Sequence, residues 1–368
     1  MRIVLTGGGT GGHIFPLIAV ARKLKEKLGG EVEMLYIGSG APIERSAMLK
    51  EGIRAKFIVS GKRRRYFSIQ NFVDFFKVPI GFLQSLWILL VYMPDVVFSK
   101  GSSVSFPVVL AAWLYRIPVL IHESDAVPGS TNQLLEKFST DIVLGYAHAQ
   151  VYFEVSKTAV WGNPVRPELI GDKVAALPRF NFSPSKPVLF VIGGSQGART
   201  LNRAVISILP ELLVHAQVIH QTGELDYDES VKRAGEQGIK AGREGYVPVK
   251  FLDEAMLRDA YAAADLVLSR AGANSIAEIA ANGKPAILVP LEHSANNHQR
   301  MNAYEIAKIG GAIVLEESNL SKHMLLDGIL KVLNDQELHD AMGVRIKSFY
   351  HPQAAENIAD ALIKLGLD

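Results

Sequence analysis

The chain has 368 residues, a length that favours two domains over a single core. Its 48% hydrophobic and 21% charged content is that of an ordinary soluble globular enzyme, and with no cysteine it can form neither disulfides nor thiolate metal sites, which fits a reducing compartment. Net charge is only +2, but residues 1–163 carry 18 Lys+Arg against 12 Asp+Glu, and residues 164–368 carry 21 against 25, so the two halves are expected to face different partners.

Met1-Arg2 leads straight into an apolar strand, Ile3–Thr6, which argues against a signal peptide and for a mature protein starting at residue 1. Gly7 to His13 reads as a loop, and Pro16–Leu28 as a helix with Leu17, Val20, Leu24 and Leu28 on one face. Further strands are expected at Val32–Ile37, Val96–Phe98, Val119–His122 and Ile142–Gly145, a doubly wound α/β pattern. The segment Gly162-Asn163-Pro164-Val165-Arg166-Pro167, after the strand-like Ala159–Trp161, is the expected linker. It closes a first domain over 1–163 and opens a second over 164–345, with strands at Val188–Ile192, Gln217–Gln221, Val249–Leu252, Leu266–Ser269 and Ala286–Pro290. Residues 346–368 carry a terminal helix at Ala354–Leu365, with the first domain as one candidate docking site.

Two strand–glycine loop–helix cassettes stand about 185 residues apart, RIVLTGGGTGGHIFPLIAVARKL from Arg2 and PVLFVIGGSQGARTLNRAVISIL from Pro187. In such a cassette the glycines let the backbone approach a phosphate, and the helix's unpaired N–H groups and dipole favour its charge. Two of them suggest two phosphate-bearing partners and a cleft between two similar domains. In the first, Gly7-x-Gly9-x-x-Gly12 would suit a dinucleotide only with an acidic residue ending the next strand, and that strand ends Tyr36-Ile37-Gly38-Ser39-Gly40. Neither loop closes with Gly-Lys-Ser/Thr, so the P-loop pattern fails too. His13 sits at the mouth of the first helix, where an imidazole with an unperturbed pKa near 6.5 suits a general base and the helix's positive end favours its neutral form. The plainer alternative is a histidine that only caps the helix or fills space.

The second loop adds Ser195, Gln196 and Arg199 to its backbone donors; Arg199 suits a diphosphate clamp or, more blandly, a solvent-facing helix position. Further on, Ser269-Arg270-Ala271-Gly272-Ala273-Asn274-Ser275-Ile276-Ala277-Glu278 joins a strand to a helix. Ser275-x-x-Glu278 fits a capping box, and Glu278 equally fits a carboxylate accepting from vicinal ribose hydroxyls. The run Glu292-His293-Ser294-Ala295-Asn296-Asn297-His298-Gln299 suits sugar hydroxyls or a solvated loop.

Lys62-Arg63-Arg64-Arg65-Tyr66-Phe67 precedes Phe72, Phe75, Phe76 and the uncharged run Val78–Pro94, seventeen residues long. A transmembrane helix needs about 20. Two readings remain: a buried helix that includes part of Leu83–Leu90, and an interfacial patch in which Arg63, Arg64, Arg65, Phe67, Phe75 and Phe76 meet an anionic membrane surface. A solvated basic turn before a core helix is the plain alternative. The local character of the charge argues against nucleic acid.

GGGTGGH at 7–13, HES at 122–124, GNPVR at 162–166, GGSQGAR at 193–199, SRAGANSIAEIAANGKPAILVP at 269–290 and NNHQRMNA at 296–303 resemble the MurG family of glycosyltransferases, family 28. Its members transfer N-acetylglucosamine to undecaprenyl-diphosphate-linked MurNAc-pentapeptide in peptidoglycan synthesis. The resemblance implies a GT-B fold, two Rossmann-like doubly wound parallel-sheet domains facing a cleft. It also implies UDP-N-acetylglucosamine (UDP-GlcNAc) as donor, inversion at the anomeric carbon, no cofactor or metal, and a peripheral place on the cytoplasmic face of the cell membrane. By motif matching, Arg166, Ser195 and Gln196 would lie near the donor diphosphate, Leu252 near the uracil, Glu278 on the ribose, and Gln299 with His298 on the sugar hydroxyls. Arg270 joins this donor set, as do Thr10, Gly11 and Gly12, whose loop would face the acceptor diphosphate and the reacting centre beside His13. Many relatives read HEQN where this chain has His122-Glu123-Ser124-Asp125, so the asparagine that contacts the donor sugar is missing, with Asp125 or Asn132 as substitutes. Some relatives carry an HESD version followed by PG, as here at Pro128-Gly129. The rival readings are another GT-B lipid glycosyltransferase, a UDP-GlcNAc 2-epimerase, and a non-catalytic nucleotide-binding protein at the membrane.

Overall fold

The computed structural model describes residues 1–61, 69–194 and 198–367, with backbone alone at 69–76 and 295. The chain divides into two compact units, Met1–Arg166 with His351–Asp368, and Pro167–Tyr350. The change of unit falls within the expected linker segment.

The first unit contains β1 (Arg2–Thr6), α1 (Gly11–Leu28), β2 (Glu33–Gly38), α2 (Pro42–Lys50), β3 (Arg54–Phe57), α3 (Ile69–Tyr92), β4 (Val96–Ser99), α4 (Ser105–Leu114), β5 (Val119–Glu123), α5 (Ser130–Leu135), β6 (Asp141–Leu144) and β7 (Thr158–Val160). All seven strands pair in parallel, in the order β3-β2-β1-β4-β5-β6-β7. Continuous apolar runs such as Ile3-Val4-Leu5 and Val96-Val97-Phe98 are what a sheet covered on both faces requires. Side chains alternate across it: Ile3 and Leu5 pack with Ile14, Leu17 and Leu24 of α1, while Val4 packs with Val108 and Val109 of α4. The terminal helix of the chain, Ala354–Leu365, lies against α1 and adds Ile358 and Leu362 to that core.

The helix expected at Pro16 starts five residues earlier, at Gly11, with Thr10 extended at its N-cap (φ −145°, ψ 161°) and the Thr10 carbonyl accepting from His13 N–H at 3.1 Å. Proline reads as a helix opener, and here Pro16 lies inside the helix. The uncharged run after residue 77 completes α3. Gly81, Ser85 and Leu89, four residues apart, form its buried face, and a Cβ on Gly81 would stand 2.2 Å from the Val59 carbonyl oxygen. Only glycine lets this helix sit so close to the backbone. No helix among the described residues is long and apolar enough to cross a membrane.

The second unit contains α6 (Lys173–Ala176), β8 (Val188–Ile192), α7 (Arg199–His215), β9 (Gln217–Gln221), α8 (Tyr227–Glu236), β10 (Tyr246–Val249), α9 (Glu254–Ala263), β11 (Leu266–Ser269), α10 (Ala273–Ala281), β12 (Ala286–Leu288), α11 (His298–Lys308), β13 (Ala312–Val314), α12 (Lys322–Asn334) and α13 (Gln336–Lys347); Ala354–Leu365 of the first unit is then α14. Its six strands are also all parallel, in the order β10-β9-β8-β11-β12-β13. Leu201, Val205, Ile208, Leu209 and Leu212 of α7 form one apolar stripe against Leu189 and Val191. The strand expected at Val249–Leu252 lies three residues earlier, because the chain turns at Gly245 (φ 85°) and pairing ends at Val249. Leu252 then belongs to the turn before α9, which Asp253 caps by accepting from Met256 N–H at 2.8 Å. The two Rossmann-like parallel-sheet units expected from the sequence are both present. The short edge strands β3 and β13 were not expected: β3 alternates polar and apolar residues, and β13 is only three residues long.

A Gly81→Ala variant should lower the thermal midpoint of the first unit by several degrees, whereas Gly129→Ala, where nothing lies within 4 Å of the added carbon, should leave it unchanged. Calorimetry of the two variants beside the parent checks this.

Candidate active site

In a doubly wound sheet, ligands settle outside the carboxyl ends of the strands where the winding reverses. That point lies between β1 and β4 in the first unit and between β8 and β11 in the second, and each glycine loop leaves from its carboxyl edge.

At the first edge, Gly9 takes φ 91° with open space around its α-carbon, a conformation glycine adopts freely. The loop is braced from behind by a residue the sequence reading missed. Glu44, fully buried in the first turn of α2, accepts from Gly9 N–H at 2.8 Å, Ser39 Oγ at 2.7 Å and Gly40 N–H at 2.7 Å. A Cβ on Gly8 would lie 2.4 Å from its Oε1 and one on Gly38 2.6 Å from its Oε2, so both glycines make room for this carboxylate. The acid absent from the end of β2 is thus supplied by the next helix. It is engaged by the protein's own loop.

His13 stands one turn into the crevice, its Nδ1 3.2 Å from Thr10 Oγ1. Burial first, and then the positive charge of Lys100, lowers its pKa from 6.5 to about 4, so at neutral pH the ring is an uncharged proton acceptor. Gly11 and Gly12 open the helix beside it, with Gly11 close to the Phe15 ring. Arg166 belongs to this first unit, not to the second as the motif reading placed it, and its guanidinium lies over Phe15, 4.3 Å from the ring centroid.

Below the crevice, at the end of β4, the buried Lys100 ammonium donates to His122 Nδ1 at 2.6 Å and to Ser124 Oγ. His122 Nε2 donates to the Gly162 carbonyl at 3.0 Å, which fixes the tautomer, since a carbonyl only accepts. Burial and Lys100 hold His122 well below 6.5. Burial lowers Lys100 to about 8 against the upward pull of Glu123 and Asp125. Burial and Asp125 raise Glu123, which accepts from Asp125 N–H at 3.0 Å, Gly129 N–H at 3.1 Å and Asn132 Nδ2 at 2.9 Å. Asn132 is buried beneath the 124–129 loop as a brace, so of the two substitutes for the missing asparagine only Asp125 is partly open to solvent.

At the second edge, Ser195 and Gln196 lie outside the described residues, and Gly194 before them takes φ 81°. Arg199 opens α7, and its Nε donates to Asp226 Oδ1 at 2.9 Å. A buried relay continues from there. Asp226 accepts from Asn202 Nδ2 at 3.1 Å, Asn202 Oδ1 from His220 Nε2 at 3.1 Å, and His220 Nδ1 from Tyr246 Oη at 3.1 Å. Burial lowers His220 to about 3, so it serves as a neutral bridge that fixes the first turn of α7.

Beside it, α10 begins at Ala273 with Gly272 as N-cap, so Ser275 and Glu278 form no capping box. Glu278 is buried in the second turn and accepts from Tyr261 Oη at 3.1 Å. Arg270 is engaged within the unit: Nη1 donates to the Val289 carbonyl at 3.2 Å and Nη2 to Glu317 Oε1 at 2.5 Å. Burial raises Glu317, but the Arg270 bond and charge together with the hydrogen bonds from Glu292 N–H and Thr200 outweigh it and hold the carboxyl below the usual range. Arg270 therefore shapes the 289–292 turn. Gln299 does the same with its Oε1, accepting from Leu291 N–H at 3.0 Å, and His298 opens α11 after two left-handed residues, Asn296 and Asn297 (both φ 54°). Leu252 is buried at the end of β10. Leu252, Arg270, His298 and Gln299 all sit at or beyond the carboxyl edge of one sheet.

Replacing Glu44 by Leu should cost the first unit about 2 kcal/mol or more, since two backbone N–H groups lose their acceptor, and Glu44→Gln should cost less because an amide oxygen still accepts. Denaturant unfolding of both variants tests the order.

Residues 3–144 match the N-terminal domain, and residues 188–358 the C-terminal domain, of glycosyltransferase family 28. A relative from Lachnospira eligens, named UDP-N-acetylglucosamine--N-acetylmuramyl-(pentapeptide) pyrophosphoryl-undecaprenol N-acetylglucosamine transferase, is 42% identical over 337 residues, 91% of this chain and 92% of its own. One of the same name from Legionella pneumophila strain Paris is 39% identical over 365 residues, 98% and 96% of the two chains. Among solved structures, Acinetobacter baumannii MurG superposes with a TM-score of 0.76 at 26% identity, covering 99% of both chains. The S. aureus MnaA–UDP complex gives 0.72 at 14% identity over 100% of this chain and 97% of that one, a likeness of fold alone. With both domain models matched and relatives aligned over nearly their whole length, the chain belongs to glycosyltransferase family 28 and has its GT-B-type pair of parallel-sheet units.

Proposed function

We propose that the protein is an inverting glycosyltransferase that moves N-acetylglucosamine from UDP-GlcNAc to the 4-hydroxyl of MurNAc in undecaprenyl-diphosphate-MurNAc-pentapeptide. The observation that carries the reading is that relatives about 40% identical, aligned through both units, share the name of that transferase. In this reading His13 accepts the hydroxyl proton as the new C1–O4 bond forms, and the bond from C1 to the diphosphate oxygen breaks with its electron pair leaving on UDP. The charge developing on UDP meets the N-terminus of α7, next to the 193–198 loop, and that of α10, both held in place by buried bonds. Glu278 and Gln299 serve the ribose and the sugar. Asp125 takes the place of the missing asparagine.

The acceptor's lipid tail makes a membrane surface part of the same proposal. On α3 the face opposite Gly81, Ser85 and Leu89 exposes Ile80, Leu83, Trp87 and Leu90 at helical spacing, with Leu83 65% and Trp87 68% exposed. Trp113 and Leu114 at the end of the adjoining α4 extend the apolar area. The buried face fits the core-helix reading of this segment, and the exposed apolar face supports the proposal of an interfacial one. Arg63, Arg64, Arg65 and Phe67 lie outside the described residues, and Phe75 and Phe76 fall in α3 where only the backbone is described. In the proposal these residues meet the anionic surface of the cytoplasmic leaflet, where each basic residue adds about 1 kcal/mol.

The experiment is direct. Purified protein, UDP-GlcNAc and a lipid-diphosphate muramyl acceptor in EDTA should yield disaccharide and UDP; a released epimer or no product would count for the epimerase or the silent binding protein. His13→Ala should lose about 10²–10⁴-fold in turnover, and near-normal turnover would remove it as the base. Changing Arg63, Arg64 and Arg65 together to Ser, or Leu83 and Trp87 together to Ser, should weaken flotation with anionic vesicles and leave UDP binding unchanged. Unaltered flotation in both would refute the membrane surface.

A further inference from the structure

The reaction as set out leaves one buried cation without a role. Lys100 follows β4 directly, and its N–H donates to the Thr6 carbonyl at 2.8 Å, which locks it in register beside the strand that feeds the first glycine loop. Its stem touches that loop, since a Cβ on Gly7 would lie 2.9 Å from Lys100 Cβ. Its ammonium ends on two uncharged acceptors, the His122 ring and the Ser124 hydroxyl, and is 2% exposed as a residue. A cation held in low dielectric, with neutral partners, projects its field further than one in water.

We propose that Lys100 is a positioning residue for the base: fixed by His122 and Ser124 beneath the first glycine loop, its ammonium adds to the burial of His13 in disfavouring the imidazolium, so that the ring stands ready to accept the proton of the incoming hydroxyl. The proposal rests on the reading of His13 as the base. The charged groups around His13 have opposing effects. Lys100 from the β4 loop and the N-terminal end of α1 itself disfavour an imidazolium, while the Arg166 guanidinium lies over Phe15. Glu44 from α2 favours one, but its oxygens are occupied by Gly9, Ser39 and Gly40. Glu123 and Asp125 at the end of β5 act on Lys100 and keep it charged. From α14, Glu356 and Asp360 engage Lys27 at the other end of α1. Lys100 is the member of this set whose charge adds to burial in lowering His13. It also gives the Ser124 of the HESD sequence a task, as one of the two groups that hold the ammonium.

The sign follows from the charge. Without Lys100 the imidazolium is repelled less, its pKa rises from about 4 toward 6.5, and the base is lost at a higher pH. The test follows His13 by NMR titration of its ring Cε1–H, assigned with His13→Gln, in the full chain and in Lys100→Met and Lys100→Arg, beside the pH profile of kcat/KM. Lys100→Met should raise the His13 midpoint and the acid limb together by about one pH unit, and Lys100→Arg, which keeps the charge, should restore both. A raised NMR midpoint with an unmoved acid limb would support the action of Lys100 on His13 while removing His13 as the base. A Lys100→Met protein with an unmoved His13 midpoint, and activity lowered by one factor at every pH, would overturn the proposal.

Discussion

Everything at the two candidate sites depends on one constraint of parallel pairing: β1 lies beside β4, and β8 beside β11, so the chain leaves neighbouring strand ends in opposite directions. No backbone can fill the gap that results, and the glycine loop at its edge brings the first N–H groups of a helix to the opening. The fold supplies the same opening twice. What differs is how each unit stiffens it.

The first unit uses charge. A buried carboxylate, Glu44, gathers the loop from behind, and a buried ammonium, Lys100, lies under it, tied to a neutral histidine whose tautomer is set by the Gly162 carbonyl. Buried ions without direct counter-ions are costly, and their placement around His13 points to chemistry more than to stability. The second unit pairs its charges directly: Arg199 with Asp226, from which a relay through Asn202 and His220 to Tyr246 fixes one helix start, and Arg270 with Glu317, which fixes the turn after β12. Groups tied down in this way suit the proposed stabilisation of a leaving diphosphate.

The doubly wound class, the two units and the strands of the buried cores were legible because uninterrupted apolar runs between glycine turns have few other solutions. Edge strands such as Arg54–Phe57 were not, since alternating polar residues resemble a loop. Local rules misled at Pro16 and at Ser275-x-x-Glu278, where tertiary packing set the helix starts. His13, Arg270, Glu278, His298 and Gln299 could be named from their positions after strands, but their partners could not. Arg166 was assigned to the wrong unit because a motif at a linker carries no sign of which side it folds with. Glu44 and Lys100 escaped notice for a common reason. Neither stands in a recognisable motif, and only the folding of distant segments together shows that it is buried beneath a loop.

The central claim is that the two openings are unequal, the second taking the nucleotide and the first the acceptor. Amide hydrogen exchange with and without UDP tests it most directly. The account predicts protection around Gly193–Gly194, Arg270–Ala273 and Val289–Gln299 with residues 7–13 and 100–105 unchanged; protection of the first glycine loop by UDP, with the second unit unaffected, would contradict it.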